Sequence, residues 1–132
     1  MIEYSDRILP YDDFIIKGFC NGWQKPLTIK EIIDLLRNSS YRIIAVDTET
    51  KRIVGIITAL SDEVNWAFIP DLEVVPEFKG RGIGKALLEK MLAKFSHMNC
   101  IDLTCDIAMQ TYYEKFGMLR SNGMIIRKYL SE

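Results

Sequence analysis

Lys79-Gly80-Arg81-Gly82-Ile83-Gly84 lies between two segments of different periodicity, and its reading decides the fold. Upstream, Trp66 to Val75 is an extended, largely apolar run. Downstream, Ile83, Ala86, Leu87, Met91 and Phe95 recur at helical spacing, with Lys and Glu between them. A glycine loop at a strand–helix junction frees backbone N–H groups and turns them toward one point, where the helix dipole adds partial positive charge. Such a nest takes an anion, most often a phosphate. Lys79, Arg81 and Lys85 are the side chains expected to meet it, whereas Lys90 and Lys94 read as a solvated helix face.

Three phosphate-binding patterns compete for this loop. A nucleoside-triphosphate loop needs Gly-x-x-x-x-Gly-Lys-Ser/Thr, but Gly84-Lys85 is followed by Ala86 and position 79 is lysine. A dinucleotide loop needs Gly-x-Gly-x-x-Gly, and here the third glycine comes one residue early, at Gly84. The third pattern matches. Leu72-Glu-Val-Val-Pro-Glu-Phe-Lys-Gly-Arg-Gly-Ile-Gly-Lys-Ala-Leu-Leu88 resembles the coenzyme A motif of the GNAT N-acetyltransferase superfamily, Leu-x-Val-x-Pro followed by Arg/Gln-x-x-Gly-x-Gly/Ala. Lys79 replaces the usual Gln or Arg, which keeps charge but loses the planar fork. Asp106-Ile-Ala-Met-Gln-Thr-Tyr-Tyr-Glu-Lys-Phe-Gly-Met118 is similar to the family's C-terminal helix, with Asp106 for Asn and Met109 for Ala.

The resemblance implies an α/β (α+β) fold: a mixed, mainly antiparallel sheet flanked by helices, with a splayed central strand pair. It also implies acetyl-CoA as cosubstrate, with Leu72, Val74, Lys79, Gly80, Arg81, Gly82, Ile83, Gly84 and Lys85 as its binding residues. The 132 residues suit one domain, 1–132, with a single core. Apolar residues at 48% and charged residues at 27% are ordinary for a globular chain. The net charge of −1 argues against general nucleic-acid binding. Cys20, Cys100 and Cys105 show neither even count nor metal spacing, which favours reduced thiols, a cytoplasmic location and no metal. No apolar run is long enough to span a bilayer, and the first residues do not form a signal peptide, so no membrane is expected.

Along the chain, Ile2 to Leu9 reads as a first strand ended by Pro10, and Asp12 or Asp13 as the start of a short helix through Phe19. Thr28-Ile-Lys-Glu31 reads as a capping box opening a helix that buries Ile32, Ile33, Leu35 and Leu36. Between them, Phe19 and Trp23 are either a substrate wall or a plug over the core. Tyr41–Asp47 and Arg52–Leu60 form an antiparallel pair, followed by a strand from Trp66 to Val75. A short strand from Cys100 to Cys105, the Tyr113 helix and a last strand around Met124–Tyr129 complete the order. Pro70 removes a ladder donor, which places a bulge in the central strand.

The reaction implied is direct acetyl transfer to a primary amine, with Tyr113, which aligns with the family's general-acid tyrosine, protonating the coenzyme sulfur. The amine must first lose a proton, since an alkylammonium of pKa about 10 has no lone pair. Where many members hold a Glu or His this chain has Phe68 and Pro70, so Asp71 and Glu73 are the nearest carboxylates, with Asp106 or a water chain as alternatives. His97 reads as structural, near the C-terminal end of the long helix, and Cys105 as a buried, inert thiol facing the wedge. The short chain favours a small-molecule amine acceptor. A peptide or protein amino group, or a non-catalytic acyl-CoA sensing module, remain the alternatives. A homodimer through the final strand is also expected by analogy with the family.

Overall fold

The computed structural model describes residues 1–130. Two long strands carry the sheet. β3 (Tyr41–Asp47) and β4 (Arg52–Ser61) pair antiparallel from Tyr41↔Ala59 to Asp47↔Arg52, with a register shift at Ala45/Val46. Their turn is closed by Asp47, whose Oδ2 accepts the Thr50 hydroxyl at 2.8 Å, and Lys51 takes φ +59°. Alternate β-branched side chains leave both faces of this ribbon apolar, so each needs a cover. β1 (Ile2–Ser5) extends it antiparallel on the β3 side, and beyond β4 the order continues through β5 (Trp66–Phe68) to β7 (Cys100–Asp102).

One face is covered by α1 (Ile29–Asn38). Its start follows from the capping box: Glu31 N donates to Thr28 Oγ1 at 3.1 Å, and Thr28 N donates to Glu31 Oε1 at 3.0 Å. A cap of this kind is worth about 1 kcal/mol. Ile32, Ile33 and Leu36 are buried against Ile44, Val46, Ile53 and Ile56, while Leu35 is only partly buried. The other face is covered by α2 (Ile83–Lys94), which buries Ile83, Leu87, Leu88 and Met91 on Ile43, Ala45 and Val54. Gly55 permits this approach, because a Cβ there would lie 3.0 Å from both Ile83 Cγ2 and Leu87 Cδ1. Truncating Leu87 to alanine in this packing would cost about 2–5 kcal/mol.

The extended run from Trp66 is broken in two. β5 (Trp66–Phe68) pairs parallel with β7 (Cys100–Asp102), and β6 (Leu72–Val74) pairs antiparallel with β4. Pro70 lies in the break. Ile69 N still donates to the Asp102 carbonyl at 2.9 Å, and Thr58 N already donates to the Asp71 carbonyl at 3.0 Å. The chain therefore leaves β7 and turns to β4 within two residues, opening the splay the proline signals.

Five expectations are corrected. The segment after Pro10 is a 3-10 turn at Tyr11–Asp13 followed by β2 (Ile15–Ile16), which pairs parallel with the start of β4. Ile15 N donates to the Lys51 carbonyl at 2.9 Å, so a ladder wins over a short helix there. The first strand stops at Ser5, and β7 is shorter than Cys100 to Cys105. No strand forms around Met124–Tyr129, only a 3-10 turn at Lys128–Leu130. A strand requires a neighbouring ladder, and this segment has none among the described residues. Cys105 is exposed, beyond the end of β7.

Candidate active site

The glycine loop is shaped by backbone conformation. A 3-10 turn at Pro76–Phe78 leads into Gly80 at φ +78° and Gly82 at φ +79°, and Gly82 is the N-cap of α2. A Cβ at either glycine would meet nothing within 4 Å, so the left-handed φ, not crowding, requires glycine. No side chain caps the helix, and its first ladder bond runs from Ala86 N to the Gly82 carbonyl at 3.0 Å. The N–H groups of Ile83, Gly84 and Lys85 are thereby left for an anion.

The loop opens into a groove of about 370 Å³. Leu72, Glu73 and Val74 line one wall, and Met109, Tyr112 and Tyr113 the other, with Phe78, Lys79, Gly80, Gly82, Ile83, Gly84 and Lys85 at its glycine-loop end. Residues 71 and 75 bond toward β4, through the Asp71 carbonyl and the Val75 N–H, so alternation turns the main-chain groups of Leu72 and Val74 into the splay. Arg81 is not in this lining. Its guanidinium stacks on Phe78 at 4.6 Å, with Nη2 at 3.4 Å from the Glu77 carbonyl. Lys85 pairs with Glu89 at 3.8 Å while still lining the groove.

Tyr113 belongs to α3 (Gln110–Glu114), a short helix entered from a 3-10 turn at Ile107–Met109. Its ring meets Tyr112 edge-on at 5.2 Å, and Tyr112 in turn contacts Phe116 at 5.2 Å. Burial, with a smaller effect of the nearby Cys105, pushes the Tyr113 phenol above its ordinary value of 10.0 and keeps its proton on. Phe78, Met109 and Tyr112 are groove residues that the sequence reading did not assign. Met109 and Tyr112 lie within four residues of Tyr113 in the same helical stretch, whereas Phe78 comes from the turn before the glycine loop.

On the opposite side of β6 lies a smaller cavity of about 90 Å³, walled by Phe19, Trp23, Leu27, Ile32 and Leu35. Asp71 and Glu73 bring carboxylates to it, and Leu72 and Glu73 line both spaces. β6 is thus the partition between them. Asp71 is occupied, since its Oδ2 accepts the Thr58 hydroxyl at 2.7 Å. Glu73 accepts the Cys20 backbone N–H at 2.7 Å, and burial raises its carboxyl above the ordinary 4.5 despite that bond and the charge of Lys79. Cys20 itself is buried at φ +61°, a strained conformation for a non-glycine residue, and it aims its N–H at Glu73. Nothing in the sequence announced this contact. Phe19 packs on both halves of the core while Trp23 stays exposed at the cavity rim, so the loop plugs the core and walls the cavity. Among the described residues, no three His, Cys, Asp or Glu side chains converge on a metal position.

Comparison with known proteins fits this geometry. The model of the acetyltransferase (GNAT) family matches residues 9–118. This chain belongs to the GNAT family. An uncharacterized N-acetyltransferase of Pyropia yezoensis is 27% identical over 129 residues, covering 90% of this chain and 74% of that protein. A histone acetyltransferase of Glycine max is 35% identical over 121 residues, covering 80% of this chain and 51% of that protein. This GNAT chain therefore spans about half of the soybean relative's length. A crystal structure of a candidate acetyltransferase from Deinococcus radiodurans R1 superposes with a TM-score of 0.88 at 28% identity, covering 97% of this chain and 89% of that one. The mixed sheet, its splay and the helices on both faces are those of the GNAT fold.

Proposed function

We propose that this GNAT chain moves an acetyl group from acetyl-CoA to a primary amine on a small molecule. The observation that carries the proposal is the partition: Tyr113 lines the groove on one side of β6, and Glu73 lines both the groove and the apolar cavity beyond it. The uncapped α2 N-terminus with Lys79 and Lys85 suits the phosphates of the coenzyme, and the outward main-chain groups of Leu72 and Val74 suit an amide-bearing arm added like a strand. The cosubstrate supplies an acetyl group activated as a thioester.

The chain's residues supply the rest. Glu73, as carboxylate, takes the proton from the incoming ammonium and leaves the nitrogen lone pair free to form the new C–N bond. Tyr113, kept protonated by burial, gives its proton to the sulfur as the C–S bond breaks. Asp71 contributes charge near the cavity while its hydrogen bond to Thr58 fixes the start of β6. Phe19 and Trp23 exclude water from the acceptor side. The small cavity favours a small acceptor, whereas the histone acetyltransferase name of the soybean relative supports a protein amino group as the second reading. The cytoplasmic location expected from the three thiols belongs to the same proposal, and the Arabidopsis thaliana relative is named as chloroplastic. No helix of the described residues is long and apolar enough to cross a membrane.

Release of coenzyme A from acetyl-CoA across amines, polyamines, amino acids and peptides tests this. Turnover with a small amine is expected, falling roughly 100-fold in Tyr113→Phe with acetyl-CoA affinity unchanged. Turnover with peptides alone would select the protein-acceptor reading. Tight acetyl-CoA binding without turnover would select a sensing module.

A further inference from the structure

Arg52 opens β4, and Ile53, Val54, Ile56 and Ile57 follow it into the core. Its side chain is only 11% exposed. A guanidinium stays charged at any working pH, so burying it is costly unless it is paired. A single nitrogen carries the pairing. Nη2 donates to the Lys17 carbonyl at 2.9 Å and to Glu77 Oε2 at 3.1 Å, whereas Nε is buried and has no partner among the described residues. Core packing alone would be served as well by an aliphatic side chain. The same Nη2 has Gly18 against it, at φ +87°: a Cβ there would lie 2.6 Å from Nη2 and 3.5 Å from Val75 Cβ.

The two acceptors belong to the two sides of the site. Lys17 follows β2, and its carbonyl precedes three left-handed residues, Gly18, Cys20 at φ +61° and Gly22 at φ +78°. Of these only Cys20 carries a side chain, and its N–H is the one that meets Glu73 at 2.7 Å. Strain at a residue that orients a carboxylate has to be imposed by its surroundings. Trp23 N closes the turn on the Cys20 carbonyl at 3.1 Å, and Arg52 holds the entry at Lys17. Glu77 lies in the Pro76–Phe78 turn that enters the glycine loop, and its carbonyl accepts from Arg81 at 3.4 Å. The Glu77 side chain is 61% exposed, so water could satisfy it, and its bond to Arg52 adds position more than stability. The other charged neighbours are Lys79 and Asp71 for Glu73, and Lys17 for Glu77.

We propose that Arg52 is a positioning residue, tying the turn that enters the glycine loop to the 17–20 turn that holds Glu73. The coenzyme side and the acceptor side of β6 thereby keep one relative position. Arg52 itself touches neither substrate and moves no proton. The part given to Glu73 rests on the acetyl transfer proposed above, whereas the tie is a property of the free chain.

The test reads both ends of the tie in the full chain: titration of the Glu73 carboxyl by NMR, and acetyl-CoA affinity by calorimetry. Arg52→Met should free the Cys20 N–H from Glu73, which displaces that titration upward, and should weaken acetyl-CoA binding about fivefold. Arg52→Lys, whose ammonium can stand in for the single bridging nitrogen, should recover both in part. Gly18→Ala keeps Arg52 but presses a methyl group onto Nη2, and should move the Glu73 titration in the same direction. Glu77→Ala, at an exposed position, should lose coenzyme affinity alone, and adding Arg52→Met should then cost little more affinity, since both remove one bond. These two variants carry the test if Arg52→Met does not fold. An unmoved Glu73 titration with unchanged acetyl-CoA affinity in the folded variants overturns the proposal. A change at one end only in Arg52→Met also overturns it, because Arg52 would then brace one side and tie nothing. The rate of Glu73→Gln is read separately: full activity there would remove Glu73 from the chemistry, while titration and binding would still decide the tie.

Discussion

The groove and the cavity on either side of β6 are built from different materials. The groove's glycine-loop end comes from one short segment between Lys79 and Lys85, whose open donors are mostly backbone N–H held by two left-handed glycines. The cavity is assembled from side chains of the 19–35 segment, Ile56 and residues 70–73. A backbone site depends on φ angles and so restricts residue type at fixed positions. A side-chain site depends on tertiary placement and leaves no local pattern. The two should fail differently when mutated.

The largest difference is expected at Gly82. Gly82→Val forces a β-branched residue into φ +79°, at about 1–2 kcal/mol or more of strain, and should weaken acetyl-CoA binding at least about tenfold by calorimetry. Gly84→Ala is the internal control, because its Cβ would sit 3.6 Å from Val74 Cγ2 and 3.8 Å from the Tyr112 hydroxyl, ordinary contacts. If both variants bound alike, the groove would not be a backbone site.

Glu73→Gln comes next and tests the partition. A carboxyl raised above 4.5 must still ionise to act as base, so kcat/KM should climb with pH on a limb displaced upward from 4.5. The variant should lose that limb and roughly 100-fold in rate while binding acetyl-CoA normally. Stability has the opposite sense. A carboxyl whose folded pKa is raised has its full stability below the unfolded pKa, and stability is lost as pH rises through the folded value. Glu73→Gln should therefore gain in melting temperature relative to the natural chain at neutral pH, and the gain should vanish in acid. A pH profile unchanged by the substitution would remove Glu73 from the chemistry.

Trp23→Ala should affect the acceptor side alone, raising the acceptor KM about tenfold with acetyl-CoA affinity intact. Equal effects on both substrates would mean that the cavity and groove are one site. The smallest effect belongs to Lys79→Ala, an exposed cation at the groove, with a loss of a few-fold in coenzyme affinity that shrinks as salt is raised.

Legibility followed the same division. The glycine spacing of 80, 82 and 84, the Thr28/Glu31 box and the alternation of β3 and β4 are local signals, and each element formed where its residues placed it. Pro70 announced the break between β5 and β6 because a missing donor is a property of the residue itself. Arg81 was read as a phosphate contact from its charge, and the structure adds its stacking on Phe78, a contact no spacing rule records. The Cys20–Glu73 bond joins residues 53 apart in the chain, so it has no sequence signature.

By itself the sequence determined the strand–loop–helix unit, the caps and the family, because those depend on backbone angles and periodicities that neighbouring residues impose. Only the tertiary structure decided that β6 is shared by two cavities, that Glu73 stands in the partition, and that the Met124–Leu130 segment lacks a ladder. Burial, pairing and electrostatic environment are properties of what lies across the fold, and the chain's local order does not contain them.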